Sequence, residues 1–421
     1  MRALVIGSGG REHAIVKSLS ESSHVTKIYT SPGNAGTALL GDNVVLDLND
    51  HESVVQFCKN QKMGFVFIGP EDPLVNGLAD SLRANGILVV GPSKHAAQLE
   101  GSKIFAKEFM KKAGVPTADA VVVNSVESTL LAARKHTAPF ILKADGLAGG
   151  KGVFICRTMA DLEAAANKLF VEKIFGAAGE KALLEKNLSG TELSFLVLTN
   201  GLDYQALPLA QDHKRLQNKN LGPNTGGMGT VAPLEIPPNL YQKIIKNIIE
   251  PSIAQMKAEK FVYNGVLFVG LMIVGEEPYT LEYNVRFGDP ETQVILPLIK
   301  SDVGQILHNL SQGVLQKIML NSMHAICIVN AAKGYPEQPK KDMMIVLPET
   351  KDPQSYVLHA ATKTSNGKLF SSGGRVLNVI AVAENAKMAK GKALELNSKI
   401  KFDGRQYRTD IGDYQFQRQA T

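Results

Sequence analysis

The sequence has few cysteines and no long apolar segment. Its three cysteines, Cys58, Cys156 and Cys327, are far apart and lack the spacing of a metal site. A sparse, odd count fits a reducing compartment, and we expect each to be a small buried hydrophobic residue. No run of about 18 apolar residues occurs, so no transmembrane helix and no membrane association are predicted. The amino terminus has no apolar segment followed by a cleavage site, so we expect no secretory signal and a cytoplasmic location.

The chain also has no fixed-period repeat, no low-complexity segment and no basic segment rich in aromatic residues. An RNA-binding module is therefore not indicated, and we expect no nucleic-acid partner. The formal net charge of +6 over 421 residues is small and is compatible with anionic small-molecule substrates. The composition, 44% hydrophobic and 20% charged, is typical of a globular protein. The length allows roughly two to four domains.

The first part of the chain alternates between predicted strands and helices. Residues 2–7 predict a strand, and the glycine-rich turn at residues 7–13 leads into a helical pattern. Further strands are predicted at residues 26–29, 44–46, 65–68 and 87–90. This alternation predicts a doubly wound parallel sheet, in which ligands bind beyond the carboxyl ends of the strands. The polar loops at those ends, residues 32–37, 69–73 and 91–93, predict a substrate cleft.

The glycine-rich turn predicts a phosphate site, because free N–H groups at a helix start face the ligand. Arg11 and His13 belong to this turn and are candidate phosphate contacts, with a solvated helix start as the alternative. Glu12 stands where the dinucleotide fingerprint requires a third glycine. A nicotinamide-dependent dehydrogenase is therefore disfavoured.

A second glycine-rich segment, residues 144–152, lies between two predicted strands and is flanked by Lys143 and Lys151. It is not a Walker P-loop, which needs four residues between its glycines and Ser or Thr after the lysine. We interpret it as a flexible flap that closes over a triphosphate, with backbone N–H groups and lysines as donors.

The segment from residue 266 to residue 286 predicts a β-hairpin, with a turn at residues 275–278. Because side chains alternate along a strand, one face would carry Leu281, Tyr283 and Val285, and the other Glu282, Asn284 and Arg286. Carboxylate and amide oxygens suit Mg²⁺, which takes one or two protein oxygens besides phosphate and water. Arg286 can hold a carboxylate or phosphate in bidentate fashion. A half-exposed strand with a polar face is the alternative.

Two carboxylates and two polar segments lie between the flap and the hairpin. Glu185 ends one predicted strand and Glu192 begins the next, an arrangement that suits adenine and ribose or plain surface charge. Residues 211–215 carry densely packed polar groups. Residues 222–229 form a long loop of turn-forming residues that allows close approach to a phosphorylated intermediate. Beyond the hairpin, residues 302–315 predict a helix.

Six segments together resemble the ATP-grasp ligases, and within them the phosphoribosylamine–glycine ligase (glycinamide ribonucleotide synthetase) family. The most specific is RFGDPETQ at residues 286–293. The others are GSGGREH at 7–13, PGNAGT at 32–37, KADGLAGGKG at 143–152, QDHKR at 211–215 and GPNTGGMG at 222–229. They occur in the family's order over nearly the whole chain.

The resemblance implies an α/β fold in three parts. These are an N-terminal doubly wound parallel-sheet domain, an ATP-grasp core with a mobile small subdomain, and a C-terminal α+β domain. We expect them at residues 1–102, 103–320 and 321–421, with the small subdomain at about 120–186.

The resemblance also implies the reaction. ATP, glycine and 5-phospho-D-ribosylamine would give glycinamide ribonucleotide, ADP and phosphate through glycyl phosphate, in the second step of de novo purine (IMP) biosynthesis. The implied cofactors are ATP and Mg²⁺ or Mn²⁺, and a monomer is expected.

Carried over position by position, the resemblance assigns site residues. The metal ligands are Glu282 and Asn284. The nucleotide contacts are Lys103, Lys143, Gly149, Gly150, Lys151, Glu185, Leu188 and Glu192. The catalytic residues are Arg286, Lys143, Asp212 and Lys214. The substrate contacts are Gly9, Gly10, Arg11, His13, Asn34, Gly36, Thr37, Pro70, Glu71, Gly226, Gly227, Arg286, Gly374 and Arg375.

Two positions depart from the family pattern. Asn187 stands where an aromatic residue is frequent, and Ala361 stands where glycine is usual, which is costly only if that position needs positive φ. Three other functions were compatible with parts of the sequence. They are a different ATP-grasp ligase or carboxylase, a nicotinamide-dependent dehydrogenase, and a non-catalytic nucleotide-binding or scaffold protein. The segment 286–293 argues against the first, Glu12 against the second, and the retained metal and lysine groups against the third.

Overall fold

The structure is a computed structural model that describes residues 1–135, 137–149, 151–350 and 352–413. Gly150 of the predicted flap lies outside the described residues. Within the described ranges, no helix is both long and apolar enough to cross a bilayer.

The N-terminal part is a parallel sheet with helices between its strands. The strands are β1 (Arg2–Gly7), β2 (Lys27–Pro32), β3 (Asp42–Asn43), β4 (Met63–Ile68) and β5 (Val89–Pro92). The helices are α1 (Gly10–Ser20), α2 (His51–Asn60), α3 (Glu71–Asn76), α4 (Leu78–Ala84) and α5 (Gln98–Gly101). The spatial order is β3-β2-β1-β4-β5, all parallel, which confirms the predicted fold class.

One strand prediction in this part is wrong. Residues 44–46 lie beyond the short strand β3 and form no ladder. Val45 is 91% exposed, whereas Val44 and Leu46 are partly buried against the core. The segment thus alternates as an extended chain does, but beyond the bond from the Val44 N–H to the Thr30 carbonyl it continues no ladder with β2.

A small four-stranded antiparallel sheet follows, in the order β6-β9-β7-β8. Its strands are β6 (Ala120–Val123), β7 (Phe140–Ala144), β8 (Val153–Cys156) and β9 (Ala182–Lys186). The helices of this region are α6 (Lys103–Ala113), α7 (Val126–Ala133) and α8 (Met159–Ala166). The sheet and two of these helices share a core that includes Leu142, Leu162 and Leu184. The predicted flap connects β7 to β8.

The central part extends the N-terminal sheet. Its strands are β10 (Thr191–Thr199), β11 (Tyr204–Ala206), β12 (Gln211–Asp212), β13 (Arg215–Gln217), β14 (Leu221–Asn224), β15 (Gly229–Ala232), β16 (Tyr263–Val274) and β17 (Glu277–Asn284). Its helices are α9 (Pro238–Ile244), α10 (Glu250–Ala258), α11 (Thr292–Ile295) and α12 (Val303–Ser311). Strands β16 and β17 form the predicted hairpin. The start of β16 pairs antiparallel with β5, so the two sheets are continuous.

Helix α12 is shorter than predicted. Asp302 caps its start by accepting a hydrogen bond from Gln305 N at 3.1 Å. Gly313, with φ of +78°, follows its last turn. A left-handed glycine after the last turn is a common helix stop.

The C-terminal part contributes three strands to a five-stranded sheet. Its elements are β18 (His324–Ala331), β19 (Met344–Ile345), β20 (Ser355–His359), β21 (Thr362–Ser365), β22 (Lys368–Ser371), β23 (Arg375–Ala383) and α13 (Ala386–Ser398). The sheet order is β12-β15-β18-β23-β20, so two short strands of the central part complete it. Ala361 does not adopt positive φ, and its departure from the family pattern therefore causes no backbone strain.

Candidate active site

A cleft of about 680 Å³ lies between the N-terminal sheet, the flap, strand β17 and the loop before β15. The predicted site residues that line it are Gly9, Arg11, Pro70, Glu71, Lys103, Lys143, Gly149, Glu185, Lys214, Gly226, Glu282, Asn284, Arg286 and Arg375. The structure thus brings together groups that are up to 366 positions apart, from Gly9 to Arg375 (375 − 9).

Other predicted site residues do not line this cleft. Among the described residues these are Gly10, His13, Asn34, Gly36, Thr37, Lys151, Leu188, Glu192, Asp212, Gly227 and Gly374. Gly227 and Gly374 are close-packing positions, where an added Cβ would lie 2.6 Å from Pro290 Cδ and 2.5 Å from the Tyr335 ring. Their contribution is to let neighbouring segments approach closely.

Strand β17 presents its polar face to the cleft, with one deviation from regular alternation. Glu282 pairs with Gly270, but Thr280 pairs with Leu271, so the register shifts by one residue. Leu281 is the extra residue of this bulge and lines the cleft, while Thr280 is fully buried. The bulge interrupts the regular alternation at this point, and both Leu281 and Tyr283 line the cleft.

Glu282 and Asn284 remain neighbours on the cleft face, as the period of two requires. Within the described ranges, no group of three or more His, Cys, Asp or Glu side chains is placed to hold a metal ion. A carboxylate with an amide oxygen still fits Mg²⁺, which completes its coordination with phosphate and water. Burial lowers the pKa of nearby Lys103, and the Glu282 charge opposes that shift.

Arg286, also on this face, is held by two carboxylates. Its Nε donates to Glu71 at 3.0 Å and its Nη2 donates to Glu100 at 2.7 Å. Burial raises the pKa of Glu100 to about 7, although the Arg286 charge opposes the shift. The sequence analysis missed Glu100, which belongs to no recognised motif and lies 186 positions from its partner.

Two lysines share the carboxylate of Glu185. Lys143 Nζ lies 2.7 Å from Glu185 Oε2, and Lys107 Nζ lies 3.1 Å from Oε1. Lys107 also donates to Thr117 and to the Ala118 carbonyl. Lys107 was not predicted, although it lines the cleft and joins helix α6 to strand β9.

The flap is tied to the start of helix α6. Asp145 Oδ1 accepts hydrogen bonds from Ser102 Oγ at 2.9 Å and from Ile104 N at 2.8 Å. The Nζ of Lys103 donates to the Gly146 carbonyl at 3.4 Å. An added Cβ at Gly146 would lie 2.6 Å from Ala178, so the flap needs a glycine there.

A buried charge cluster lies beside β17. Lys214 Nζ is 2.7 Å from Asp212 Oδ2, and the Asp212 side chain is almost fully buried. Glu291 Oε1 accepts from Ser194 Oγ at 2.9 Å. Burial raises the pKa of Glu291, as does the Asp212 charge, while Lys214 opposes both. Glu291 lines the cleft within the segment 286–293, but alternation alone could not single it out.

Arg375 connects the C-terminal part to this site. Its Nη1 donates to the carbonyls of Gly226 and Asp289, both at 2.7 Å. Burial raises the pKa of Asp289, but Arg375 and Arg11 outweigh it and hold that pKa below its usual value. Three distant segments therefore meet around one ionised carboxylate.

The helix start after β1 uses its N–H groups within the protein. The Gly9 N–H donates to Glu12 Oε2 at 2.6 Å, and the Arg11 N–H donates to Asp289 Oδ2 at 3.1 Å. Added Cβ atoms at Gly7 and Gly69 would come within 2.6 Å and 2.1 Å of the Glu12 side chain. Two carboxylates thus accept the N–H groups that the sequence analysis assigned to a phosphate. One of them belongs to Glu12, which stands where the dinucleotide fingerprint has its third glycine.

Pro32 lines the cleft, but the predicted substrate contacts after it form an internal junction with His13. These contacts are Asn34, Gly36 and Thr37. The Asn34 side chain accepts from Gly36 N and Thr37 N and donates to the His359 carbonyl at 3.0 Å. His13 Nδ1 accepts from His359 N at 2.7 Å. Their polar groups are satisfied by protein partners, which does not favour direct substrate contacts.

Comparison with known proteins gives three consecutive family matches. The N domain of phosphoribosylglycinamide synthetase matches residues 1–100, its ATP-grasp (A) domain 101–292 and its C domain 325–414. The phosphoribosylamine–glycine ligase of Agrobacterium fabrum is 43% identical over 98% of this chain and 98% of its own length. That of Neisseria meningitidis serogroup B is 40% identical over 98% of this chain and 99% of its own length.

Comparison with solved structures supports the same family. The crystal structure of phosphoribosylamine–glycine ligase from Thermotoga maritima has a TM-score of 0.88 and 35% identity, covering 98% of this chain and all of that one. The biotin carboxylase of Campylobacter jejuni has a TM-score of 0.74 at 15% identity, covering 97% of this chain and 93% of its own. The latter similarity shows the ATP-grasp fold alone.

Proposed function

The chain belongs to the phosphoribosylglycinamide synthetase family, and from that premise we propose how its cleft performs the family reaction. The chain is an ATP-dependent ligase that joins glycine to phosphoribosylamine in the second step of purine biosynthesis. Its small-molecule substrates are thus two amines, one of them an amino acid, and ATP. The individual roles of the cleft residues are our proposal.

The observation that carries the proposal is the convergence of cationic and metal-binding groups on one cleft. Lys103, Lys143, Glu282, Asn284 and Arg286 all line it. Phosphoryl transfer depends mostly on positioning and charge neutralisation, so these groups suffice without a nucleophilic Ser or Cys. A protein that only binds nucleotide would not need all of these groups in one cleft.

We assign the nucleotide to the space beneath the flap. Lys103 and Lys143 would bind the phosphates, together with backbone N–H groups near Gly149. Lys143 pairs with Glu185, and on nucleotide binding it would exchange this carboxylate for a phosphate oxygen. Lys107 would then remain as the cation that neutralises Glu185.

Glu282 and Asn284 would hold Mg²⁺ or Mn²⁺, which would supply charge neutralisation for phosphoryl transfer. The protein's part is to keep the two oxygen donors side by side at the end of β17. Pairing with β16 fixes that arrangement.

We propose a two-step ligation. A glycine carboxylate oxygen attacks the γ-phosphorus, the bond to the bridging β,γ-oxygen breaks, and ADP leaves with glycyl phosphate formed. The amine nitrogen of phosphoribosylamine then attacks the glycyl carbonyl carbon, inorganic phosphate leaves, and the nitrogen loses a proton. Arg286 would neutralise the glycine carboxylate or the transferring phosphoryl group. Closure of the flap would exclude water from glycyl phosphate.

The experiment is phosphate release from ATP and Mg²⁺, with glycine and freshly generated phosphoribosylamine each added or omitted. We expect release that requires both, with an equal amount of glycinamide ribonucleotide. Release with another acid or amine would keep ATP use and overturn the substrate pair. No release under any combination would leave only nucleotide binding. A monomer and a cytoplasmic location remain our expectations for the active form.

A further inference from the structure

The two carboxylate partners of Arg286 differ in how firmly they are anchored. Glu100 Oε1 accepts from Arg286 Nη2 at 2.7 Å, and its side chain is 7% exposed. Glu71 Oε2 accepts from Arg286 Nε at 3.0 Å, and its side chain is 26% exposed. Both carboxylates line the cleft, but Glu100 is the more enclosed partner of Arg286 and Glu71 the more accessible one.

Glu100 also bonds to the main chain next to Arg286. Its second oxygen, Oε2, accepts from the Val285 N–H at 2.8 Å. One carboxylate thus holds both the backbone before Arg286 and the far end of its guanidinium. Charge-assisted bonds of this kind are strong and directional, so the guanidinium cannot shift without breaking one of them.

This difference matters when an anionic substrate group approaches Arg286. Because like charges repel, the anion can pair with the guanidinium only where a carboxylate partner gives way. Glu71, which is the more exposed and is bonded to the guanidinium at Nε, is the partner that a substrate anion can replace. Such an exchange keeps Arg286 paired throughout.

We propose that Glu100 is a positioning residue for the ligation, which fixes Arg286 so that its guanidinium binds an anionic substrate group in place of Glu71. This inference rests on the role proposed above for Arg286. In this role Glu100 acts through its bonds to Arg286 and to the Val285 N–H.

The test compares Glu100→Gln with a matched control, Asp410→Asn. Glutamine keeps the volume and an oxygen for the Val285 N–H but removes the charge. Asp410 is a similar carboxylate elsewhere, since it accepts from Arg408 Nε at 2.7 Å, Arg408 Nη2 at 2.8 Å and Lys219 N at 2.7 Å. Among the described residues, neither Arg408 nor Asp410 lines the cleft.

In steady-state assays, Glu100→Gln should lower kcat about 100-fold, the usual cost of a misplaced functional group. Its ATP affinity, measured by calorimetry, should stay unchanged. Asp410→Asn should lose thermal stability comparably but keep the wild-type kcat. Equal kcat in Glu100→Gln and wild type, or equal losses in both variants, would overturn the inference.

A second readout does not depend on turnover. Phenylglyoxal modification of Arg286, followed by peptide mass spectrometry, should be faster in Glu100→Gln than in wild type and unchanged in Asp410→Asn. An unchanged Arg286 rate in Glu100→Gln would contradict the positioning role. Failure of the proposed function can be distinguished from failure of this inference. In the former case the wild type itself would release no phosphate with both substrates, and the modification rates of Arg286 would still decide the inference.

Discussion

The backbone N–H of His359 donates a 2.7 Å hydrogen bond to Nδ1 of His13, across 346 positions of sequence. The bond joins helix α1 to strand β20, and both imidazoles are buried. Burial lowers the pKa of His13 to about 3, with the neighbouring His359 contributing, and lowers that of His359 to about 4. The junction between the N-terminal and C-terminal parts therefore depends on neutral histidines.

Acid should weaken this junction. In the unfolded chain both histidines titrate near 6.5, whereas in the folded chain they stay neutral to much lower pH. The unfolded state thus binds more protons below pH 6.5, so folded-state stability is complete above that pH and falls as pH drops. By about pH 5 each histidine should lower the free energy of unfolding by roughly 2 kcal/mol. Denaturant unfolding at several pH values between about 8 and 5 measures this loss of unfolding free energy.

His13→Gln supplies the control for acid sensitivity, because an amide oxygen can accept the His359 N–H and does not titrate. The variant should show a shallower fall in unfolding free energy with acid. Curves of equal slope for the variant and the wild type would rule out His13 as a contributor.

These junction residues illustrate what the sequence could and could not predict. The alternation of strands and helices predicted the parallel sheet, and the Gly/Pro turn predicted the β16–β17 hairpin, because both patterns are local. The residues at 32–37 were assigned to substrate because they follow a strand, yet their partner His359 lies in another part of the chain. Glu100 and Lys107 were missed for the same reason, since only folding brings them to Arg286 and Glu185.

Gly10 should be intolerant of a side chain. An added Cβ would lie 2.3 Å from Asn378 Nδ2 and 2.7 Å from Gln293 Nε2, and both amides are buried. Gly10→Ala should therefore lower the free energy of unfolding by about 1–3 kcal/mol, the usual cost of overpacking. Gly391→Ala in helix α13 is the matched control, because among the described residues no neighbouring heavy atom lies within 4 Å of its added Cβ. That variant should gain about 0.5–1 kcal/mol, and equal effects at the two sites would refute the packing argument.

The three thiols should be unreactive in the folded protein. Cys58, Cys156 and Cys327 are all buried and unpaired with one another. Burial raises the pKa of Cys58 to about 12 and that of Cys156 to about 11, and it also raises the pKa of Cys327. Because the thiolate is the reactive form, a disulfide reagent at neutral pH should label the native chain very slowly. The denatured chain should react with three equivalents of the reagent, one at each cysteine. Rapid labelling of the native chain would contradict the burial of the thiols.

Gly149 should control the coupling between ATP cleavage and ligation. Its φ is +55°, and in the part of the chain that the structure describes no neighbouring heavy atom lies within 4 Å of an added Cβ. Alanine there should therefore act through backbone conformation. Gly149→Ala should disturb flap closure and let water reach glycyl phosphate, giving more ADP than glycinamide ribonucleotide. Gly367→Ala, in the turn between β21 and β22, has φ of +70° and equally open space. It should keep equal yields of the two products; a Gly149→Ala enzyme that does the same would argue against a protective flap.

Glu282 should set the requirement for divalent metal. Glu282→Gln keeps the shape of the side chain on β17 but removes the charge beside Asn284. The Mg²⁺ concentration that gives half-maximal phosphate release should rise by at least roughly 10-fold. Substitutions of residues that only support a metal ligand already weaken metal binding by roughly that factor. Glu277→Gln on the same strand is the control, because Glu277 is exposed and paired with Lys243. A metal dependence that is unchanged in Glu282→Gln would remove Glu282 from the ligand set, whereas a shift in that variant alone would place the ion at the cleft face of β17.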